Sequence, residues 1–373
     1  MYHIVADENM PALSLFEQHG TVETVPGRTM TPAVVKSADA LLVRSVTAVT
    51  PDLLKDAAVS FVGSATIGTD HVDMAWLKQQ GIAFAHAPGC NAMAVAEYVL
   101  QVMVSWLLAQ QRSPQNTTLA VIGHGNVGRR VAALGEALGL EVLLVDPFSP
   151  CTKSTYSTLE SALQAHVLSC HVPLTFKGEH ATYHLLHEDR LAAMTPSQLL
   201  INTSRGPVVD NQALKALLMQ QQGPTAWLDV WEHEPVVDPA LFHLVRGGTP
   251  HIAGYTVEGK WRGTWMLYEA WRKHVGDPLE EQAHMPQLAP KRVWKAPIHT
   301  LEDVHKLLVA HYPMMEDHKR LKESLSEEDT AQAFDRLRRD YGQRYELAGI
   351  LCQGPVAAQW MPLLNQLGVV CVG

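Results

Sequence analysis

The stretch Gly123-His-Gly-Asn-Val-Gly128 stands between an apolar run, Leu119–Ile122, and an amphipathic segment, Val127–Leu138. A second apolar run, Glu141–Val145, ends in Asp146, 18 residues after the last glycine of the stretch. Glycines between a strand and a helix let the backbone approach a pyrophosphate at the helix N-terminus, and the following acid accepts hydrogen bonds from a ribose. We therefore predict a dinucleotide site, with an ordinary strand–helix turn as the alternative. The next three residues, Pro147-Phe148-Ser149, carry no cation for a 2′-phosphate, which favours NAD over NADP.

Strand and helix patterns alternate on both sides of this stretch. Further predicted strands are Tyr2–Ala6, Ala40–Arg44, Val59–Ser64, Val167–Cys170, Leu199–Asn202, Ala226–Val230, His251–Ala253 and Leu347–Cys352. Further predicted helices are Met10–His19, Leu301–His311 and Thr330–Tyr341. This alternation is typical of doubly wound parallel sheets. We predict an α/β fold with two Rossmann-like doubly wound parallel-sheet domains and a small C-terminal α+β domain.

Polar residues follow several of the apolar runs, and ligands bind beyond the carboxyl ends of parallel strands. Arg205 follows one such run, and its guanidinium could grip a carboxylate through two hydrogen bonds, although a surface salt bridge is the alternative. His251 is suited to remove a hydroxyl proton near neutral pH. Glu234 could hold the imidazole ring and favour its protonated form, a role for which Glu232 competes on residue type alone. This set points to hydride chemistry on a hydroxy acid.

A metal site is the rival interpretation of another segment. His180, His184 and His187 fall at helical spacing, with Glu179 and Glu188 beside them. Because no second group of ligands lies nearby in the sequence, we interpret them as a solvated helix face and predict no metal.

Length and composition limit the class of protein. A chain of 373 residues suggests two or three domains, and four prolines between residues 276 and 297 indicate a linker or extended arm. The net charge of −9 gives no general attraction for nucleic acid or an anionic membrane, so an anionic substrate needs local cations. Five scattered cysteines and the lack of a signal-peptide pattern fit a cytoplasmic protein. The apolar segment Met93–Ala109 has polar residues at four-residue spacing (Glu97, Gln101 and Ser105), which predicts a buried or interdomain helix.

These motifs together resemble those of the D-isomer-specific 2-hydroxyacid dehydrogenases. The resemblance is carried by the glycine-rich turn with Asp146 and by His171–Thr175, Asn202–Asp210, Asp229–Pro235 and His251–Gly254. A closer likeness is to the branch that oxidises 4-phospho-D-erythronate to 2-oxo-3-hydroxy-4-phosphobutanoate in pyridoxal 5′-phosphate (vitamin B6) biosynthesis. That likeness is carried by Asp7–Met10, Val43–Thr47, Gly68–Asp73, Ala87–Asn91, His251–Lys260 and Phe334–Tyr341.

The resemblance implies roles for individual residues. Arg205 would bind the substrate carboxylate, Glu234 would orient the histidine and His251 would be the acid/base. The residues implied to hold NAD are Asn126, Val127, Asp146, Thr175, Thr203, Ser204, Arg205, Asp229 and Gly254. The residues implied to contact substrate are Ser45, Thr66 and Tyr255.

The resemblance also implies a domain division and partners. Residues 1–92 and 257–285 would form a substrate-binding domain, 93–256 an NAD-binding Rossmann domain and 286–373 a C-terminal dimerisation domain. We expect a cytoplasmic homodimer that binds a small phosphorylated hydroxy acid and neither nucleic acid nor membrane.

The phosphate ligands and the reaction both have alternatives. The cations expected to bind the phosphate are Arg44, Lys260 and Arg262, with Arg338 or Arg339 reaching across a dimer interface as the alternative. Another D-2-hydroxyacid dehydrogenase, of the phosphoglycerate or hydroxypyruvate type, is the second functional hypothesis. A non-catalytic NAD-sensing co-repressor is the third, and the intact Arg–Glu–His set disfavours it.

Overall fold

The structure, a computed structural model, describes residues 1–148, 156–277, 286 and 288–372. One of the five cysteines, Cys151, and the predicted boundary at residue 285 lie outside the described residues. The backbone forms two compact units: unit 1 is Met1–Asn91 with Thr256–Leu288, and unit 2 is Ala92–Tyr255 with Ala289–Gly373. All the paired strands of the described residues run parallel, in three sheets, which confirms the predicted α/β class.

Unit 1 contains a five-stranded sheet in the order β2-β1-β3-β4-β5. Its strands are β1 Tyr2–Asp7, β2 Gly20–Val25, β3 Ala40–Val43, β4 Phe61–Ser64 and β5 Ala83–His86. Its helices are α1 Ser14–Glu17, α2 Pro32–Val35, α3 Pro51–Leu54, α4 Met74–Gln79 and α11 Val257–His274. Every residue of β3 and β4 is buried, as expected for inner strands covered on both faces.

Unit 2 contains a six-stranded sheet in the order β11-β10-β9-β8-β6-β7. Its strands are β6 Thr118–Ile122, β7 Glu141–Val145, β8 Val167–Cys170, β9 Leu199–Asn202, β10 Thr225–Leu228 and β11 Gly247–Gly248. Beside β7, Leu144 pairs with Tyr156 in an isolated bridge. The strand order reverses between β6 and β8, which makes the carboxyl ends of these two strands the switch point at which such sheets bind ligands.

Six helices accompany this sheet: α5 Ala92–Ala109, α6 Asn126–Leu138, α7 Leu159–Ala162, α8 Glu188–Ala192, α9 Asn211–Met219 and α10 Pro239–Leu244. By length and composition α5 could cross a membrane, but 78% of it is buried inside the protein. Of its polar stripe, Glu97 and Gln101 are buried and Ser105 is half-buried. Glu97 accepts the Leu347 N–H at 2.8 Å, and Gln101 donates to the Tyr312 carbonyl at 2.9 Å. The prediction of a buried helix is confirmed.

The C-terminal part of unit 2 packs against α5 and α6. Its helices are α12 Leu301–His311, α13 Met314–Ser324, α14 Thr330–Arg339 and α15 Met361–Gln366. Its strands, β12 Val293–Trp294, β13 Leu351–Cys352 and β14 Val370–Cys371, form a small parallel sheet in that order. The assignment of this part to dimerisation stays a prediction.

Several local predictions are wrong. The helix predicted over Met10–His19 is limited to α1, because Ala12 adopts a positive φ of 58° just before it. The strand predicted over Leu347–Cys352 shrinks to the two residues of β13. The segment of His180, His184 and His187 is not helical, because His184 has a φ of 47° and α8 begins only at Glu188.

The predicted strand His251–Ala253 is also wrong. The last strand of the sheet is β11, which ends three residues earlier. The N–H groups of Ile252 and Ala253 donate to the Asp229 carboxylate, at 2.8 and 3.0 Å, rather than to a neighbouring strand. The Asp229 side chain therefore takes the place of the neighbouring strand that the apolar pattern predicted.

Candidate functional site

The glycine-rich turn joins β6 to α6 at the switch point of the unit 2 sheet. Gly123 has a φ of 92°, which favours glycine, and a Cβ there would lie 2.7 Å from the His171 carbonyl oxygen. A Cβ on Gly128 would collide with the Gly123 carbonyl, so glycine lets α6 start close to the strand. At Gly125, by contrast, a Cβ would point into open space, so the packing of the protein does not itself demand glycine. That open space at the N-terminus of α6 fits a pyrophosphate.

Asp146 follows β7 and ties this turn to the strand end. Its carboxylate accepts the backbone N–H of His124 at 2.8 Å and that of Phe148 at 3.0 Å. An ionised carboxylate has about four acceptor positions, so Asp146 can still accept hydrogen bonds from a ligand. Thr175 lies beyond β8, where its N–H donates to Thr182 Oγ1 at 2.8 Å.

The ends of β9, β10 and β11 are joined by backbone hydrogen bonds. The Asp229 N–H donates to the Asn202 carbonyl at 3.0 Å, and the His251 N–H donates to the Asp229 carbonyl at 2.7 Å. The loops that begin at these strand ends are therefore neighbours, as the strand-end argument predicted.

His251 and Glu234 form a pair at this edge. Glu234 Oε2 lies 2.8 Å from His251 Nδ1, while Glu234 Oε1 accepts the Trp231 N–H at 2.8 Å. Burial acts to raise the pKa of Glu234, but the charge and hydrogen bond of His251, with smaller effects of Arg338 and the Trp231 N–H, lower it below its usual value. The carboxylate is therefore ionised at neutral pH and binds the imidazole at Nδ1, which leaves Nε2 for a ligand.

Glu232, the competing carboxylate, contacts a different histidine. Its Oε1 lies 2.6 Å from His184 Nε2, and its Oε2 accepts the Asn211 N–H at 3.0 Å. His184 Nδ1 is also 3.5 Å from Asp210 Oδ2, and this His–Asp–Glu cluster has its ligand atoms within 4.8 Å of one another. Glu232 is thus directed to His184, and the geometry selects Glu234 as the partner of His251. The predicted absence of a metal stays a prediction.

Asn202 shapes the loop that carries Arg205. Its buried side chain accepts the Ser204 hydroxyl at 2.8 Å and donates to the Arg205 carbonyl at 2.9 Å. A Cβ on the next residue, Gly206, would collide with the Trp231 carbonyl, so this loop packs against the turn that leads to Glu234. Arg205 thus lies beside the segment that carries Glu234, the partner of His251.

Thr203 in the same loop lies beside a neutral histidine. Its hydroxyl is 3.4 Å from His171 Nδ1. Burial lowers the pKa of His171 to about 3, so this ring adds no charge next to the glycine-rich turn at pH 7.

Asp229 is only 1% exposed and anchors the loop that follows β11. Besides the N–H groups of Ile252 and Ala253, it accepts the Thr249 hydroxyl at 2.6 Å. The Thr249 hydroxyl is also 2.5 Å from the Tyr98 hydroxyl of α5. Burial raises the pKa of Asp229, against the effect of these hydrogen bonds. The sequence prediction missed Thr249 and Tyr98, because no local pattern links α5 to this loop.

Arg344, from the C-terminal part of unit 2, anchors the same loop from the other side. It is 6% exposed and donates to the carbonyls of Ala253 at 3.0 Å and Ala94 at 2.9 Å, with the Ile252 carbonyl at 3.5 Å. Its guanidinium also lies 3.9 Å from the centre of the Tyr312 ring. A carboxylate thus holds the N–H groups of the loop, and a guanidinium holds its carbonyls. The sequence prediction missed Arg344 as well, since the carbonyls to which it donates are 91 or more positions away.

Arg338 of α14 lies at the end of this loop. Its guanidinium carbon is 5.9 Å from the centre of the Tyr255 ring, and that ring also meets Tyr341 edge-on at 5.7 Å. The sequence alternative placed Arg338 across a dimer interface. In the structure it reaches Tyr255 of its own chain.

Unit 1 carries the other two candidate substrate residues. Ser45 and Thr66 each lie two residues past the ends of β3 and β4, whose last residues, Val43 and Ser64, are register partners. The Thr66 hydroxyl donates to the Gly68 carbonyl at 2.8 Å and is 2.7 Å from the Ser64 hydroxyl. The structure therefore places both candidates at one edge of the unit 1 sheet.

Helix α11 brings two of the candidate cations to the same edge. A Cβ on Gly263 would lie 3.3 Å from the Ala65 carbonyl, so the first turns of α11 pack against the end of β4. Lys260 and Arg262 are on these turns, and Arg262 Nε donates to the Cys90 carbonyl at 2.7 Å.

Comparison with known proteins agrees with this geometry. The family model described as D-isomer specific 2-hydroxyacid dehydrogenase, NAD binding domain, matches residues 97–253. An erythronate-4-phosphate dehydrogenase of Marinobacter nauticus is 45% identical over 363 residues, which cover 94% of each chain. The chain belongs to the D-isomer-specific 2-hydroxyacid dehydrogenase family. Two more proteins of this family, both also named erythronate-4-phosphate dehydrogenase, match almost the whole chain. The one from Acinetobacter baumannii is 42% identical over 92% of this chain and 98% of its own, and the one from Pseudomonas putida is 40% identical over 99% and 100%.

Solved structures of the family share the fold. The D-lactate dehydrogenase of Aquifex aeolicus, complexed with NAD and lactic acid, has a TM-score of 0.63 and 24% identity, covering 74% of this chain and 96% of its own. The NAD+-bound 3-phosphoglycerate dehydrogenase of Entamoeba histolytica has a TM-score of 0.63 and 20% identity, covering 76% and 99%. Both relatives are matched almost entirely, whereas about a quarter of this chain is additional to them.

Proposed function

We propose that this chain uses NAD to oxidise the C2 hydroxyl of 4-phospho-D-erythronate, giving 2-oxo-3-hydroxy-4-phosphobutanoate in pyridoxal 5′-phosphate biosynthesis. The observation that carries the proposal is the His251–Glu234 pair at 2.8 Å, at the edge of a sheet that also carries a glycine-rich turn. The three relatives with the proposed activity in their names are 40–45% identical over nearly the whole chain, which supports this substrate.

His251 is the proposed proton acceptor. With Nδ1–H donating to Glu234, the neutral ring presents the lone pair of Nε2 and can take the C2 hydroxyl proton. Glu234 stabilises the imidazolium that forms, because an opposite charge at hydrogen-bond distance favours the charged ring. Arg205, half-buried beside the Glu234 segment, would bind the substrate carboxylate in two parallel hydrogen bonds and so orient C2.

The proposed NAD site uses the features of the switch point. The open space at Gly125 and the N-terminus of α6 would accept the pyrophosphate, and Asp146 would accept the ribose hydroxyls. NAD, when bound, supplies the hydride acceptor. The other residues proposed to line its site are Asn126, Val127, Thr175, Thr203, Ser204, Arg205, Asp229 and Gly254.

Ser45, Thr66 and Tyr255 are proposed to contact substrate, as the resemblance implies. Arg44, Lys260 and Arg262 stay the candidates for the phosphate, although Arg262 already donates to a backbone carbonyl. We also propose a cytoplasmic homodimer, in which residues 1–92 with 257–285 bind substrate, 93–256 bind NAD and 286–373 pair subunits.

The decisive experiment is NADH formation by the purified protein on a panel of hydroxy acids. The panel contains 4-phospho-D-erythronate, D-erythronate, 3-phospho-D-glycerate and D-glycerate. A kcat/KM that is highest on the first compound supports the proposal. A preference for a three-carbon acid would assign the chain to the phosphoglycerate or hydroxypyruvate type, and NAD binding without turnover would favour the co-repressor.

A further inference from the structure

Helix α14 directs one of its three arginines into unit 2. Phe334, 1% exposed, and Arg338 are four residues apart and so share a helix face, with the guanidinium carbon 5.9 Å from the phenyl ring centre. Arg336 and Arg339 instead pair with Glu327 at 2.6 Å and Asp340 at 2.8 Å, in exposed ion pairs. Arg338 therefore lies on the face of α14 that packs into unit 2.

The surroundings of Arg338 keep its charge. Burial acts to lower the pKa of Arg338, but Tyr255, which also hydrogen-bonds to it, and the carboxylates of Glu234 and Asp335 raise it above its usual value. Its Nε is buried and makes no hydrogen bond within the described part of the chain. The guanidinium thus presents a fixed positive charge at 5.9 Å from the Tyr255 ring.

This charge acts on Glu234 without competing for its hydrogen bonds. The two Glu234 oxygens are occupied by His251 Nδ1 and the Trp231 N–H, and Arg338 contributes through its charge. The charged and titratable groups of this set act on one another. Glu234 feels His251 and Arg338, Arg338 feels Tyr255, Glu234 and Asp335, and Asp229 feels His251. A cation near Glu234 limits how strongly the carboxylate holds a proton on the imidazole.

We propose that Arg338 is a positioning residue of the reaction. It holds the Tyr255 ring in place and balances the charge of Glu234, so that the Glu234–His251 pair can take up and return the proton of the substrate hydroxyl. The inference rests on the proposed function, in which neutral His251 accepts the hydroxyl proton. Without Arg338 the carboxylate would stabilise the imidazolium more strongly, and fewer molecules would carry neutral His251 at a given pH.

The test compares Arg338→Met, Arg338→Lys and a control on the same helix, Arg336→Met. For each, kcat and KM for NADH formation from 4-phospho-D-erythronate are measured across pH, with thermal unfolding as the check on folding. We expect Arg338→Met to lower kcat about tenfold at pH 7, a small part of the 10²–10⁴-fold typical of acid–base catalysis. We also expect it to move the acid limb of the kcat profile about half a pH unit or more upward. The Lys variant should restore the limb, and the control should resemble wild type.

Three results would overturn the proposal. One is a folded Arg338→Met protein with the wild-type acid limb, since a purely structural role lowers kcat without moving the limb. Another is an Arg338→Lys variant in which the acid limb of the kcat profile stays shifted to higher pH. The third is a loss of kcat in Arg338→Met that disappears when D-erythronate replaces the phosphorylated substrate, which would make Arg338 a ligand of the phosphate. The proposed function is tested separately, by the wild-type assay alone. It is refuted if the wild-type enzyme fails to oxidise 4-phospho-D-erythronate.

Discussion

Replacing Arg344 with methionine should both destabilise unit 2 and impair catalysis. The change removes hydrogen bonds of 3.0 Å to the Ala253 carbonyl and 2.9 Å to the Ala94 carbonyl, and methionine has no donor to replace them. Each hydrogen bond to a charged group contributes about 1.5–3 kcal/mol. Removing a buried charge offsets part of this cost, so we expect a net loss of about 2–4 kcal/mol. At about 2–4 °C per kcal/mol for a unit of this size, the unfolding temperature should fall by roughly 5–15 °C.

The catalytic loss follows from the backbone of the loop. His251 has a φ of 57°, a conformation that costs about 1–3 kcal/mol for a residue other than glycine and persists only where the surroundings enforce it. With Arg344 gone, the loop keeps the bonds of its Ile252 and Ala253 N–H groups to Asp229 but loses the side-chain donor to its Ala253 carbonyl. We expect kcat to fall about tenfold or more, because a displacement of about 1 Å can cost 10²-fold.

Differential scanning calorimetry and initial rates of NADH formation measure the two effects. Arg292→Met is the matched control, because Arg292 also donates to two carbonyls of the C-terminal part, those of Glu346 and Ala348, but not to the loop. The control should lose stability while keeping most of its kcat. A destabilised Arg344→Met protein with wild-type kcat would refute the claim that Arg344 holds the catalytic loop. An unchanged unfolding temperature would refute the expected loss of stability.

Four further sets of substitutions have expected outcomes. Replacing His251 with Ala should lower kcat by about 10²–10⁴-fold with little change in NAD affinity measured by fluorescence titration, and wild-type turnover would remove it from the mechanism. Glu234→Gln should be milder and should move the acid limb of the rate profile to lower pH, because the lost carboxylate no longer stabilises the imidazolium. Because the pKa of Glu234 is lowered in the folded protein, this variant should also lose stability at pH 7. That loss should shrink as the pH falls below the usual glutamate pKa of about 4.3, because the wild-type carboxylate then also becomes neutral. Changing Asp146 to Ala and Pro147 to Arg should narrow the preference for NAD over NADP, unless the wild-type protein already uses both equally. Neutralising a true phosphate ligand should lower kcat/KM on 4-phospho-D-erythronate much more than on D-erythronate, and the cations to change one at a time are Arg44, Lys260 and Arg262.

Local motifs predicted the parts of the site that short stretches of chain encode. The glycine-rich turn, Asp146 and the strand-end position of Arg205 follow from periodicity and spacing, because each depends on its immediate neighbours. The pattern placed His251 at the start of a strand, whereas it lies three residues past the end of β11. The choice of Glu234 over Glu232 did not follow, since both are carboxylates in one turn and only the fold directs one to His251 and the other to His184.

The residues that hold the site in place through long-range contacts could not be predicted from the sequence, for a different reason. The polar stripe of α5 was read correctly as part of a buried helix, but nothing in it indicates that its partners lie in the C-terminal part. The apolar residues Ile252 and Ala253 mimic a strand, because burial and not pairing determines their type. Long-range contacts of this kind, including those of Arg344, leave no periodic trace in the chain.

The position of Arg344 has a consequence for the order in which the protein folds. One guanidinium joins Ala94, Ala253 and the C-terminal part, and its bond to Ala94 spans 250 positions. A contact at that separation forms late, because closing so long a stretch of chain costs entropy before the contact can stabilise the fold. Between these ends lie the segment Thr256–Leu288, which belongs to the other unit, and the whole of the larger sheet. Enzymatic activity should therefore be among the last properties regained on refolding, after the secondary structure has already returned.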